Sequence, residues 1–183
     1  MNNKNNVRFL TESGVMIALA SILSMIKVYE APFGGSVTAG SMIPIIIIAL
    51  RWGTLRGLFA GLVYGIIQAI IDPYIVHPVQ FFLDYPVAFS VLGVAGLFRY
   101  FVIKKAGSGK LEYVSVVLGV FVAVLGRMIA HVLSGVVFFK EFAGDQNPWI
   151  YSILYNGGYL SIELIVSIII ILLLWKTLRK EIA

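Results

Sequence analysis

Long apolar runs, separated by short polar or basic segments, make up most of this 183-residue chain. A helix needs about 20 apolar residues to cross the hydrocarbon layer of a bilayer. The runs approach that length, except for a shorter one that begins near Ser41 and ends before Arg51. The pattern predicts an all-α integral membrane protein, one domain over residues 1–183, with six transmembrane helices at about 9–25, 41–50, 54–71, 79–101, 113–139 and 149–175.

The composition agrees with this class. Hydrophobic residues make up 60% of the chain and the mean hydropathy is +0.95, values far outside the range of soluble globular proteins. The net charge is +5, and the basic residues lie between and beyond the apolar runs. Membrane topology and anionic lipid headgroups explain this distribution without nucleic acid. The absence of cysteine excludes a disulfide framework and a thiolate nucleophile.

The distribution of positive charge predicts which side of the membrane each end faces. Of the 14 lysines and arginines, 11 fall at the amino end, in the second and fourth connections or in the carboxyl-terminal tail. Because basic segments stay cytoplasmic, both termini are expected in the cytoplasm. The outer side then receives the acidic loops and the outer helix ends that carry Asp84, His131, Tyr151 and Asn156.

Small residues mark two helices for close packing. Glycine recurs at every fourth position from Gly53 to Gly65, which leaves one face of the third helix nearly bare. In the first helix, Gly14 and Ala18 form another pair of this type. The Gly14/Ala18 face either packs inside this protein or docks a partner membrane subunit, and the sequence supports the two interpretations equally.

Asp84 places a carboxylate inside a run that otherwise reads as membrane-spanning. A carboxylate at membrane depth costs several kcal/mol unless it faces a cavity, a partner or a ligand. Aromatic residues that include Phe81 and Tyr85 surround Asp84, and Pro86 loosens the backbone nearby. An acid among aromatic rings suits an organic cation. Alternatively, Asp84 pairs with Arg127 as a contact between helices.

Other polar side chains interrupt the apolar runs. Arg127 and His131 lie four residues apart on one face of the fifth helix; His131 could be a ligand contact, a proton carrier or a hydrogen-bonded packing residue. Tyr64, near the end of the third helix, could face a cavity. The sixth helix has a polar and aromatic start over residues 149–159, with Glu163 one further turn in.

The segment from Lys27 to Gly40 contains two charges, one proline and three glycines. This composition predicts an external loop rather than a helix. Such a loop could fold over a site.

Several motifs along nearly the whole chain resemble the thiamin-specific substrate-capture subunits, or S components, of energy-coupling-factor (ECF) transporters. They recur at corresponding places in that family. The motifs are Leu10-Thr11-Glu12, Ile43-Pro44, Gln80 with Phe82-Leu83-Asp84-Tyr85, Gly93-x-Ala95-Gly96-Leu97-Phe98-Arg99, His131 with Ser134-Gly135, and Tyr151-Ser152 followed by Asn156-Gly157.

The resemblance implies a pocket for thiamin, which joins a permanently charged thiazolium ring to an aminopyrimidine. The implied substrate-binding residues are Asp84, Tyr85, His131, Phe139, Tyr151, Asn156, Tyr74 and Tyr64. The chain also departs from the family pattern. The acid at Asp84 is often glutamate, and tryptophan can stand at or near Phe139, Tyr64 and Gly35.

The resemblance further implies a multi-pass subunit of the bacterial cell membrane that binds thiamin with high affinity. Its expected partners are an ECF transmembrane subunit, docked at Gly14 and Ala18, and two cytoplasmic ATPase subunits. No catalysis, cofactor or metal is expected. The alternatives are an S component for another vitamin or a thiamin precursor, and a small membrane enzyme that uses Asp84 and His131 as acid and base.

Overall fold

A computed structural model describes residues 3–104 and 109–182. The predicted basic connection between the fourth and fifth helices therefore lies partly outside the described residues, at 105–108. The described elements are helix α1 (Asn3–Met25), strands β1 (Lys27–Glu30) and β2 (Ser36–Thr38), and helices α2 (Ile43–Trp52), α3 (Thr54–Ile71), α4 (Pro78–Ile103), α5 (Lys110–Phe138) and α6 (Pro148–Ile182).

The chain is largely helical, as the hydropathy pattern predicts. Within the described ranges, five helices are long and apolar enough to cross a membrane, namely α1, α3, α4, α5 and α6. Helix α1 begins at Asn3, six residues earlier than expected, and α6 continues to Ile182 rather than 175. Both helices are longer than their apolar spans because the basic segments at their ends are also helical.

The expectation of an all-α chain is wrong in the segment after α1. Strands β1 and β2 pair antiparallel, with Lys27 opposite Thr38 and Glu30 opposite Ser36. The tip of this hairpin is a short turn in which Phe33 adopts a φ of 67° and Gly34 a φ of 100°. Glycine takes this left-handed backbone without strain, whereas phenylalanine rarely does. The hairpin is thus a shaped element rather than an irregular loop.

Helix α2 is short but forms the centre of the bundle. Every residue from Ile43 to Leu50 is buried, as expected of a helix that is apolar on all sides. It packs against α1, α3 and α4. At one end, Glu12 of α1 accepts hydrogen bonds from Arg51 and from the indole nitrogen of Trp52, at 3.0 and 2.8 Å.

Helix α4 contains two segments that are not α-helical. Residues Leu83–Val87 form a π-helical turn that contains Pro86, and Val91–Phe98 form a 3-10 segment. Proline has no backbone N–H to donate, so it fits a turn in which the regular hydrogen-bond ladder is already broken. π-Helical turns occur often at functional sites, and this one carries Asp84.

The glycine ladder of α3 holds α4 in place. A methyl group at Gly65 would lie 2.5 Å from the carbonyl oxygen of Tyr85, and one at Gly61 would overlap the carbonyl oxygen of Phe89. Gly57 makes the equivalent approach to Gly93. The bare face therefore lets the two backbones touch where α4 is irregular, and so it sets the position of the π turn.

The Gly14/Ala18 face of α1 points away from the rest of the chain. Both residues are exposed, and no heavy atom of another element lies within 4 Å of the position that a methyl group at Gly14 would take. The opposite face of α1, with Phe9 and Ile17, is buried. Of the two interpretations of this face, packing inside the protein does not occur among the described residues.

Candidate functional site

A cavity of about 120 Å³ lies among α3, α4, α5 and α6 beneath the β hairpin. This is roughly ten times the smallest space that holds one water molecule, so the cavity has room for a small organic compound. Aromatic rings and polar groups alternate around it. Its lining includes Phe33, Tyr74, Asp84, Tyr85, Arg127, His131, Phe139, Tyr151, Tyr155, Asn156, Tyr159 and Glu163.

Asp84 lies in the wall of this cavity with 15% of its side chain exposed. Its Oδ2 atom accepts hydrogen bonds from Gln80 Nε2 and Ser134 Oγ, both at 2.7 Å. Its Oδ1 atom lies 2.8 Å from His131 Nδ1. The carboxylate is therefore fixed by donors from its own helix and from α5 while one side still faces the cavity.

The partners of His131 determine where its proton lies. Arg127 Nε donates to His131 Nε2 at 3.2 Å, and a nitrogen that accepts carries no hydrogen. The proton of the neutral ring is therefore on Nδ1, from which it is donated to Asp84. Arg127 is further held by the ring of Phe89, whose centre lies 4.3 Å from its Cζ atom. Asp84 and Arg127 are thus joined through His131, in place of the direct pair that the sequence left open.

Aromatic rings line two sides of the cavity. Tyr74 stacks on Phe139 with 5.9 Å between the ring centres, and Tyr151 stacks on Tyr155 at 6.1 Å. Tyr85 supports the first pair, because its hydroxyl accepts from Tyr74 N at 2.7 Å. These faces present π-electron density to the interior, the arrangement that attracts an organic cation.

The hairpin closes over the cavity through contacts at its tip. The hydroxyl of Tyr155 donates to the carbonyl oxygen of Pro32 and accepts from Gly35 N at 3.1 Å. Phe33 stacks on Phe142 with 4.1 Å between the ring centres. A side chain at Gly35 would strike the ring of Tyr159 at 2.7 Å, so the close approach of the hairpin requires glycine there.

The base of the hairpin is held by an ion pair. Lys27 Nζ lies 2.7 Å from Asp72 Oδ2, at the end of α3, and 2.8 Å from Glu30 Oε1. The hydrogen bond to Asp72, which has the larger effect, and the one to Glu30 raise the pKa of Lys27 above its ordinary value. Lys27 therefore stays charged throughout the physiological pH range, and the ion pair is kept.

The structure brings together most of the residues that the sequence singled out. Seven of the eight predicted substrate-binding residues line the cavity: Asp84, Tyr85, His131, Phe139, Tyr151, Asn156 and Tyr74. Tyr64 does not reach its wall. The Tyr64 side chain is fully buried, its ring packs edge-on against Phe89 at 4.9 Å, and its hydroxyl lies 3.4 Å from the carbonyl oxygen of Ala20.

Asn156 has less hydrogen-bonding capacity for a ligand than its side chain suggests. Its Nδ2 group donates to Ser152 O at 2.9 Å and to Ser152 Oγ at 3.2 Å, and its Oδ1 atom accepts from Tyr159 OH at 2.9 Å. The second lone pair of Oδ1 remains available to accept a hydrogen bond from a ligand. Asn156 therefore orients Tyr159 and shapes the wall in addition to any direct contact.

Sequence reasoning did not assign Gln80, Tyr155 or Glu163 to the site. Gln80 and Glu163 are each 1% exposed, and a polar residue buried in an apolar helix is the signal that points to them. Tyr155 lies one turn beyond Tyr151, on the same face of α6. In the described residues, no group of three or more histidine, aspartate or glutamate side chains is placed to hold a metal ion.

Comparison with known proteins gives a consistent result. The profile of the family described as "Thiamine transporter protein" matches residues 10–183. The chain is 44% identical to the thiamine transporter ThiT of Bacillus subtilis, over 97% of this chain and 95% of that one. It is 28% identical to ThiT of Lacticaseibacillus paracasei, over 93% and 88%.

A solved structure agrees as well. The structure of ThiT from Listeria monocytogenes superimposes with a TM-score of 0.86 at 28% identity, and the match covers 97% of this chain and 98% of that one. The family profile spans nearly the whole chain, and the Bacillus relative exceeds 30% identity over almost its full length. This chain therefore belongs to the thiamine transporter protein family.

Proposed function

We propose that this protein is the thiamin-binding membrane subunit of an ECF-type transporter, which captures vitamin B1 outside the cell and passes it to a separate energising module. The observation that carries the proposal is the fixed carboxylate of Asp84 in a cavity walled by aromatic rings. Thiamin combines a permanent cation with a flat heteroaromatic ring, so it matches both features. Membership of the thiamine transporter family supports this substrate.

Each part of the cavity has a role in this proposal. Asp84 offsets the positive charge of the thiazolium, and the pairs Tyr74/Phe139 and Tyr151/Tyr155 provide faces for the rings, each cation–π contact contributing roughly 0.5–2 kcal/mol. His131 positions Asp84, and Asn156 supplies an acceptor. Tyr64 contributes from behind the wall by packing against Phe89.

In this proposal the chain crosses the bacterial cell membrane six times, with both termini in the cytoplasm. Helix α2 has ten residues, about 15 Å of helix, and covers half of the hydrocarbon layer. The cavity and its hairpin occupy the remaining depth on the outer side. The abundance of lysine and arginine at the other end supports this orientation.

Uptake also requires partners that use ATP. The exposed Gly14/Ala18 face of α1 lets another helix approach the backbone closely, which supports its assignment as the contact with the ECF transmembrane subunit. Two cytoplasmic ATPase subunits would complete the transporter. Because this chain belongs to a transporter family, the alternative of a membrane enzyme that uses Asp84 and His131 has no support.

Equilibrium titration of the purified protein in detergent tests the substrate. We expect thiamin to bind without ATP and without partner subunits, since the cavity lies within this chain. A panel of other vitamins and thiamin precursors serves as the comparison. Tighter binding of any other member of the panel would assign the protein to that substrate instead.

A further inference from the structure

Glu163 is a second carboxylate in the wall of the cavity, at its inner end, the end farthest along α6 from Tyr151. It lies twelve residues along α6 from Tyr151, a rise of about 18 Å. Its side chain is 1% exposed. Other polar residues also line the cavity: Ser41, whose hydroxyl bonds to Thr38 Oγ1 at 2.9 Å, and Gln68, which donates to Ser24 Oγ at 3.0 Å. The inner end of the cavity is therefore polar although it lies among apolar helices.

The two oxygens of Glu163 have different surroundings. Oε1 accepts from the backbone nitrogen of Thr38 at 2.5 Å and from Thr38 Oγ1 at 2.8 Å. Oε2 accepts no hydrogen bond from any group within the described residues, 3–104 and 109–182. A buried carboxylate oxygen without a donor is costly. Oε2 of Glu163 is thus an acceptor that a ligand at the inner end of the cavity can use.

The charges around the cavity are also unbalanced. Its described lining contains three carboxylates, at Asp72, Asp84 and Glu163, and one arginine, Arg127. Asp72 is paired with Lys27 at 2.7 Å, and His131 is neutral when it accepts from Arg127. Asp84 and Glu163 together therefore exceed Arg127 by one negative charge, which a ligand with a single positive charge would balance.

We propose that Glu163 is a ligand-binding residue, whose Oε2 accepts a hydrogen bond from thiamin and whose charge sets the preference of the cavity for a monocation. The donor is the exocyclic amine or the hydroxyl of thiamin. This inference rests on the proposed function. Because Oε1 of the same carboxylate holds Thr38 of β2, the residue also links an occupied cavity to the closed hairpin.

The variant Glu163→Gln tests the proposal, because it keeps the shape of the side chain and an acceptor for Thr38 but removes the charge. We expect thiamin affinity, measured by calorimetric titration in detergent, to fall at least tenfold. The matched control is Glu112→Gln, which changes another fully buried glutamate that binds Trp175 outside the cavity. The control should stay within twofold of the wild type, and the same behaviour in Glu163→Gln would overturn the proposal.

A second measurement separates ligand binding from support of the hairpin. Thr38→Val removes the hydroxyl that bonds to Glu163 and leaves the carboxylate in place. If Glu163 acts on the ligand, hydrogen exchange across 27–39 in free Glu163→Gln matches the wild type, while affinity falls further than in Thr38→Val. Faster exchange in Glu163→Gln, with the same affinity loss as in Thr38→Val, would reduce Glu163 to a structural role.

Two analogues identify the donor. One has the exocyclic amine of thiamin replaced by a carbonyl oxygen, and the other lacks the hydroxyl. For the analogue that has lost the donor, Glu163→Gln should weaken binding less than it weakens thiamin binding, and the remaining difference reflects the charge of Glu163 toward the thiazolium. If the full difference persists for both analogues, the direct hydrogen bond is refuted. Failure of wild-type protein to bind thiamin at all would instead refute the proposed function, so the two failures are distinguishable.

Discussion

His131 Nδ1 lies 2.8 Å from Asp84 Oδ1 and thereby joins α5 to the π turn of α4. Ser134, one turn along α5, donates to the other oxygen of the same carboxylate at 2.7 Å. Asp84 is therefore oriented by two side chains of one neighbouring helix. A carboxylate held in this way needs little reordering when a cation enters, so less of the binding free energy is lost to entropy.

The first prediction concerns Asp84. Asp84→Asn keeps the size of the side chain but removes the negative charge that the proposed function assigns to the thiazolium. We expect thiamin affinity to fall more than tenfold in equilibrium titration. Asp145→Asn, in the exposed loop before α6, is the control and should bind normally. Near-normal affinity of Asp84→Asn would mean that Asp84 serves only to connect α4 with α5.

The second prediction concerns the glycine ladder. Gly61→Ala forces a methyl group onto the carbonyl oxygen of Phe89, so α3 and α4 must separate. Overpacking of this kind typically costs 1–3 kcal/mol, and we expect a lower thermal unfolding temperature and weaker thiamin binding. Gly158→Ala is the matched control, because nothing lies within 4 Å of its added methyl group. Equal unfolding temperatures for the two variants would contradict this packing.

Sequence reasoning singled out two residues of the candidate site because polar and ionisable side chains are conspicuous in an apolar run. Asp84 and His131 were both visible in this way, and the structure places them in contact. The glycine ladder likewise indicated close packing, although the partner, α4, could not be read from α3 alone. Both features are local properties of one helix.

Features that depend on contacts distant along the chain were not predicted. The hairpin consists of strands of four and three residues around a turn with two glycines, too short for an alternating pattern to stand out. Its position depends on Tyr155 and Glu163, about 120 residues away. Tyr64 lies behind the cavity wall, because the glycines that face α4 set the rotation of α3 about its axis and turn Tyr64 toward Phe89.

The third prediction concerns the Gly14/Ala18 face. Ala18→Trp places a bulky side chain where a partner helix would need to approach closely, and it disturbs nothing inside the subunit because Ala18 is exposed. We expect thiamin uptake by cells to be lost while binding by the purified subunit stays normal. Leu173→Trp, at a position 77% exposed on α6, should leave both intact. Joint loss of binding and uptake in Ala18→Trp would show that the face supports the fold.

The fourth prediction is that the β hairpin acts as a lid whose opening slows when thiamin is bound. Its hydrogen bonds to the body of the protein involve Tyr155 at the tip and Glu163 near the base, and the ion pair of Lys27 with Asp72 is partly exposed. These contacts are few, so local opening of the hairpin costs less free energy than opening of the helix bundle. A ligand in the cavity adds a surface beneath Phe33, Gly34 and Gly35, which line it, so binding should favour the closed form.

Hydrogen exchange across 30–39 measures this opening directly, and it should slow when saturating thiamin is added. Tyr155→Phe provides the sharper test, because it removes the hydroxyl that bonds to Pro32 and Gly35 but keeps the ring that stacks on Tyr151. The variant should exchange faster in the free state and release thiamin faster, with a smaller change in the association rate. Exchange that is equal with and without thiamin would mean that the hairpin is fixed, and the entry path would then lie between α5 and α6, where residues 140–147 join the two helices.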